Sequence, residues 1–293
     1  MKKKAALVLS GGGARGIAHI GAIEELEKQG FEITSLAGTS MGSLVAGVHA
    51  LGKLKEFKEW MLTLDKMKVF NLVDFTFSTQ GLVKGDRVLN RIQEFVSGRN
   101  IEELGIPYAA VAVDLMKKEE VVFRKGSIFE AIRASISIPS VLTPVKKGEA
   151  LLVDGGVLNN IPVNHVQRTT GDLLIAVDVN ADIPLRKIKG SMEESEEKKS
   201  VYLEKLEQFQ HNLKKMLSGN EETKMGYFDL MTETISLMTA TIARNNMEKE
   251  PPDILVEVSR QSAGTYDFFM AEELVERGRT AAREALKQFK ATK

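Results

Sequence analysis

The stretch Gly38-Thr39-Ser40-Met41-Gly42 sets a serine between two glycines, directly after the apolar run Ile33–Ala37. A serine in the pattern G-x-S-x-G, on a sharp strand-to-helix turn, is how an exposed acyl-transfer nucleophile is presented. The helix-compatible run MGSLVAGVHAL follows it. Such a helix would aim its free N–H groups and positive dipole end at the serine. Taken alone, the pattern is equally compatible with a helix start capped by a hydroxyl and eased by two glycines.

A second glycine cluster, SGGGARG from Ser10 to Gly16, follows the apolar run Ala5–Leu9. Gly11, Gly13 and Gly16 also fit the G-x-G-x-x-G of a dinucleotide site. That site wants an acidic residue at the end of the second strand. Here Glu32 lies at the start of that strand, and its far end holds Gly38-Thr39-Ser40. In a parallel sheet the ends of neighbouring strands lie side by side, so the glycine loop and Ser40 would share one sheet edge. The backbone N–H groups of Gly11, Gly12 and Gly13 beside a nucleophile are what an oxyanion hole requires. Arg15 would add fixed positive charge fit to hold a phosphate, or would face solvent at a helix start.

An activated serine needs a proton acceptor. The chain has four histidines: His19 and His49 in helical patterns, His211 in a charged segment, and His165 in IPVNHV. Ser40, Asp154 and His165 follow the order Ser, Asp, His of a hydrolase triad, although the Asp and His are oddly close in sequence. Asp154 itself stands in LLVDGGVLNNIPV, after a short apolar run and before two glycines that let the chain turn. A carboxylate with an ordinary pKa near ~3.9 is a poor base for a serine. Desolvation would raise its basicity, and it would need direct contact with the hydroxyl.

These groups need elements to position them. Ala5–Leu9, Ile33–Ala37, Tyr108–Val113, Leu151–Val153, Leu173–Val179 and Ile254–Val258 read as short buried strands, most of them without strict alternation. That composition suits parallel strands covered on both faces. Val121–Phe123 is a further candidate at an edge. Helical patterns over Ile17–Lys28, Met41–Leu51, Val88–Val96 and Ala271–Phe289 alternate with them. The expected architecture is a three-layer α/β/α sandwich with a mainly parallel sheet, one domain over residues 1–293. Segment 186–224 breaks the pattern with the charge-dense KIKGSMEESEEKK, then a stripe at Leu203, Leu206, Phe209, Leu213 and Met216. It reads as a charged helical insertion, a lid or dimer element. A second stripe, Phe228, Met231, Ile235, Met238 and Ile242, has helical spacing. Helix packing is its default reading. Flexible methionines also suit the wall of an acyl-chain pocket.

Composition bounds the function. The chain of 293 residues is 43% apolar, with 40 Lys+Arg balanced by 40 Asp+Glu and no cysteine. Zero net charge gives no reason to expect nucleic acid as a partner. Without cysteine there is no thiolate chemistry, disulfide or cysteine-based metal site, and a reducing, cytoplasmic setting is expected. Ala5–Leu9 is too short for the apolar core of a signal peptide, and no run approaches the ~20 residues of a membrane span.

SGGGARG, GTSMG and DGG, in that order and each after a strand, together resemble the patatin-like phospholipase family. GLVKGDRV (81–88), ASISIPSVLTPV (134–145), DGGVLNNIPV (154–163) and PPDILVEV (251–258) look like further family segments. The resemblance covers roughly residues 5–180 and 225–289. It implies a Ser-Asp dyad with no catalytic histidine, Ser40 as nucleophile, Asp154 as its partner, Gly11–Gly13 as the oxyanion hole and Arg15 beside it. Met41 departs from the alanine of many members. The expectation is a serine acyl hydrolase acting on fatty-acyl esters of phospholipids or lysophospholipids, with no metal or organic cofactor and transient contact with a membrane surface. A homodimer is a further expected assembly. An acyltransferase using the same nucleophile, or a non-catalytic lipid-binding protein on this fold, is the alternative.

Overall fold

The computed structural model describes residues 3–72, 85–96, 98–139, 142–186 and 227–291. Residues 187–224 of the expected insertion, His211, the start of GLVKGDRV and two residues of ASISIPSVLTPV lie outside them. The chain divides into two compact units, residues 1–186 with 239–293, and residues 187–238.

Strands and helices alternate as β1 (Lys3–Leu9), α1 (Ala18–Lys28), β2 (Phe31–Thr39) and α2 (Met41–Ala50). Three helices follow, α3 (Leu54–Leu62), α4 (Lys66–Leu72) and α5 (Asp86–Val96). Next come β3 (Tyr108–Asp114), β4 (Glu119–Phe123), α6 (Ile128–Ser135), β5 (Val145–Lys147) and β6 (Ala150–Asp154). The described chain closes with β7 (Leu173–Ala181), α7 (Tyr227–Lys249), β8 (Ile254–Ser259) and α8 (Ala271–Ala291). α7 begins in the second unit and ends in the first. Leu230, Ile235, Leu237 and Met238 on its first part are exposed.

Side chains alternate across the strands as a pleat requires. Ala5, Leu7 and Leu9 of β1, and Ile175, Val177 and Val179 of β7, enter the larger core with α1, α2 and α8. Ala6, Val8, Leu174 and Ala176 enter the other layer, with Ile161, Val163, Val166 and Ala243 of α7. Both faces are covered, which is why the runs read as continuously apolar.

The sheet order is β5-β6-β3-β2-β1-β7-β8, with β4 also on β3. β3, β2, β1, β7 and β8 are parallel. β4 and β6 pair antiparallel with β3, and β5 pairs antiparallel with β6. The strand at Leu151–Val153, expected among the parallel ones, therefore runs the other way. β2 pairs with β3 up to Thr39↔Val111, and β6 pairs with β3 from Ala112↔Asp154 onward. β4 occupies the opposite edge of β3 at both places. The ends of β2 and β6 thus meet head-on along one edge of β3. On the other side of β2, Leu9 pairs with Gly38 and with Val177, so β1 and β2 end at one level while β7 runs on to Ala181. The order reverses about β1, and a crevice at the carboxyl ends of strands is where such sheets place ligands.

Among the described residues, no helix is long and apolar enough to cross a membrane.

Candidate active site

Ser40 is the residue between β2 and α2. Its φ of 54° and ψ of −127° are unusual for a residue with a side chain, and such strain persists only where the surroundings impose it. Here they do. The Ser40 N–H donates to Ser135 Oγ at 2.9 Å, and Ser135 Oγ–H donates to Val111 O at 2.6 Å. The Ser40 carbonyl accepts from Ser43 N–H at 2.9 Å, Leu44 N–H at 3.2 Å and Ser43 Oγ at 2.7 Å. Gly42 completes the turn: a Cβ there would stand 2.2 Å from Leu9 O and 2.5 Å from Ser10 O, both backbone. Ser40 is buried, 5% exposed.

Asp154 ends β6, one β3 residue along from the end of β2, so the head-on junction of the two strands brings it to Ser40. Its carboxyl is buried, and Oδ1 accepts from Gly156 N–H at 2.7 Å. Burial pushes its pKa up to about 6, against the opposing pull of the Ser40 hydroxyl and the Gly156 amide. The Ser40 contact falls short of full hydrogen-bond geometry, and Oδ2 is buried with no hydrogen-bond partner among the described residues. A carboxylate in this position has a free, desolvated lone pair beside a serine hydroxyl.

The glycine loop is pinned from all sides. Ser10 N–H donates to Val177 O at 3.1 Å, and Ser10 Oγ accepts from Val179 N–H at 3.0 Å. His19, fully buried and with its pKa lowered by that burial to about 4, is neutral and contacts Ser10 O through Nε2 at 2.8 Å. Of the three amides expected to face an oxyanion, that of Gly11 is already committed, donating to Asn160 O at 3.0 Å. Those of Gly12 and Gly13 have no hydrogen-bond partner among the described residues. The first amides of α2, Met41 and Gly42, are equally unpaired, as helix N-termini leave them.

Arg15 is tied down rather than extended. Its Nη2 donates to Asn180 Oδ1 and its Nη1 to Ala263 O, both at 2.9 Å. Asn180 Nδ2 in turn donates to Gly11 O at 2.6 Å. Arg15 therefore braces the loop through Asn180.

Ser40, Gly13 and Met41 open onto an apolar cavity of about 140 Å³. Its walls come from α2, α3, α4, α5, the segment after α6 and residues 265–268. None of residues 239–249 of α7 lines it. Met41 is buried and packs over Gly16, where a Cβ would come within 2.3 Å of its Cγ.

The described histidines are engaged elsewhere. His165 Nε2 bonds Glu120 Oε2 at 2.7 Å, and His49 lies 3.8 Å from Glu27. None of them is hydrogen-bonded to Ser40 or Asp154, so the Ser40-Asp154-His165 triad is not formed. His165 belongs to a network in which Asn159 Nδ2 also donates to Glu120, at 2.9 Å, while Asn159 O accepts from Thr39 Oγ1 at 2.7 Å. Ser135, Asn160 and Asn180 escaped the sequence reading. Asn159-Asn160, two polar residues inside an apolar stretch after Asp154, was the one signal available. Among the described residues there is no cluster of three or more histidine or acidic side chains able to hold a metal.

Comparison with known proteins gives this geometry a context. The sequence profile of the patatin-like phospholipases matches residues 7–166. An uncharacterized NTE family protein of Mycobacterium tuberculosis is 32% identical over 332 residues, covering 98% of this chain and 92% of that protein. The lysophospholipase NTE1 of Debaryomyces hansenii is 32% identical over 183 residues, covering 60% of this chain and 12% of that much longer one. Among solved structures, VipD from Legionella pneumophila is similar with a TM-score of 0.46 and 14% identity, over 98% of this chain and 67% of that one.

Proposed function

Since the chain belongs to the patatin-like phospholipase family, we propose that it is a serine acyl hydrolase that cleaves fatty-acyl esters of phospholipids or lysophospholipids through a Ser40-Asp154 dyad. The observation that carries this reading is the head-on meeting of β2 and β6. It sets a strained, buried Ser40, which lines an apolar cavity, beside a desolvated carboxyl.

The ester carbonyl would lie over Ser40 with its acyl chain in the cavity. Asp154 Oδ2 takes the hydroxyl proton as Ser40 Oγ forms its bond to the carbonyl carbon. The oxygen that gains charge is met by the unpaired amides of Gly12 and Gly13, helped by the N-terminus of α2. Gly11 supports this from behind, through Asn160 and Asn180. Collapse of the tetrahedral intermediate expels the alcohol, which takes up the proton from Asp154. Water then attacks the acyl-Ser40 ester, with Asp154 again as base, and releases the fatty acid. An alcohol acceptor in place of water would make the same intermediate an acyl donor, which product analysis distinguishes.

In this reading, contact with a lipid aggregate is transient. Leu62 and Met67 are exposed apolar side chains on α3 and α4, next to Met61, Leu64, Val69 and Leu72 of the cavity wall. That side of the molecule would meet the lipid.

The test is hydrolysis of lysophospholipids and simple esters by folded wild type, S40A, D154N and H165A. S40A and D154N should each lose at least about a thousandfold in kcat/KM, the scale of a lost nucleophile or base, while H165A keeps its rate within a few-fold. Full activity in S40A or D154N, or loss in H165A equal to theirs, would overturn the dyad.

A further inference from the structure

We infer that Trp60, the only tryptophan of the chain, closes the end of the acyl cavity remote from Ser40 and sets the longest acyl chain that is accepted well. This rests on the reading of the cavity as the acyl site, and goes beyond it by naming the residue that limits chain length.

The path of the chain places Trp60. α2 leads away from Ser40 for about 15 Å, the length of a ten-residue helix. At its far end the chain turns back into α3, and Lys53 in that turn donates from Nζ to Phe95 O at 3.0 Å. The last turn of α5 therefore sits at the end of α2 away from the nucleophile. Phe57 and Trp60 of α3 meet Phe95 there. The Trp60 and Phe95 rings stack with centroids 5.4 Å apart, and Phe57 stands edge-on to both, at 5.6 and 5.5 Å. Phe57 and Trp60 both line the cavity that Ser40 lines.

Trp60 differs from its neighbours in exposure. Phe57 is fully buried and Phe95 nearly so, whereas Trp60 is half-buried. Outside it, the Arg91 guanidinium lies 5.5 Å from its ring centroid and 5.3 Å from that of Phe95, a cation–π arrangement that holds both rings. Trp60 thus stands between the cavity it lines and the partly exposed side chain of Arg91. A chain too long for the cavity has to displace a ring fixed by stacking and by a cation. Trp60→Ala would open the cavity at that point, and Trp60→Phe would keep a shorter wall.

Two measurements test this. In the first, kcat/KM is measured for p-nitrophenyl esters from butyrate to palmitate with wild type, W60A and W60F, each checked for a cooperative thermal transition. Because hydrophobic pockets discriminate single methylenes by about 10-fold or more, W60A should raise the ratio of long- to short-chain kcat/KM at least about tenfold, with W60F between. An unchanged chain-length profile in folded W60A would overturn the inference. In the second, tryptophan emission of S40A is followed as laurate or palmitate is added. A saturable shift in emission is expected, since Trp60 is the sole emitter and lines the cavity; saturable fatty-acid binding by calorimetry with unmoved emission would overturn it. If the wild type hydrolyses no ester, the dyad reading fails while the emission titration still decides the role of Trp60.

Discussion

At the residue scale, burial of Asp154 ties activity to pH and stability. Its pKa is raised to about 6, so the fraction able to accept the Ser40 proton falls below that pH. The kcat/KM of ester hydrolysis should rise with pH through about 6 and level off above, read from a rate profile between pH 4.5 and 8.5. Stability runs the other way. The folded-state pKa lies above the unfolded value, so the folded chain binds the proton more tightly. The stability of the folded state is then greatest below about pH 4 and declines as pH rises through about 6. Asp154→Asn cannot ionise, so it should gain up to about 3 kcal/mol over wild type at pH 8 and almost nothing at pH 4, measured by urea denaturation at the two values. Ser40, Asp154 and the glycines were legible in the sequence because each is announced by its neighbours, a glycine-flanked serine or an aspartate before a double glycine. Ser135 and Asn180 were not, since their partners Ser40, Val111, Gly11 and Arg15 lie far away in sequence.

At the scale of elements, the site is made by where strands stop. Each parallel strand was readable from its apolar run, but the direction of β6 was not. Direction depends on which edge of β3 is left free beyond Thr39, and no local residue encodes that. Helix α3 carried a signal, Leu54, Phe57, Trp60 and Met61 at helical spacing, and is half of the cavity's aromatic end. The glycine loop yields a prediction of its own. If Arg15 acts as a brace through Asn180, Arg15→Met should lower kcat/KM by a similar factor for a charged phospholipid and a neutral short ester. A loss confined to the phospholipid would instead assign it to the head group. Ser135→Ala removes the acceptor of the Ser40 N–H. It should cost about 1–3 kcal/mol of stability, the range for a buried donor left unpaired, and lower kcat more than it raises KM.

At the scale of the whole molecule, the first and last helices hold the sandwich together. α1 and α8 approach backbone to backbone: a Cβ on Gly278 would sit 1.8 Å from Ala18 O, and one on Gly21 1.8 Å from Val275 O. Beside this contact the buried Glu25 pairs with Arg283 at 3.2 Å. Gly278→Ala should therefore destabilise by roughly 1–3 kcal/mol, the usual range for overpacking, seen as a lower urea midpoint. The glycine loop opens directly into α1, so the variant should also be less active before it unfolds. The α/β alternation was plain in the sequence, while this helix contact was hidden because it needs only the absence of two side chains. The proposed chemistry rests on a serine activated by a carboxylate alone. Its most direct measurement is the rate at which a fluorophosphonate labels Ser40 as a function of pH, in wild type and in Asp154→Asn, with the site of labelling read by peptide mass. A Ser40-Asp154 dyad gives a single adduct on Ser40, a rate that climbs through an apparent pKa near 6, and near-complete loss of labelling in the folded Asn variant. Labelling of Ser40 at the wild-type rate in Asp154→Asn would contradict it.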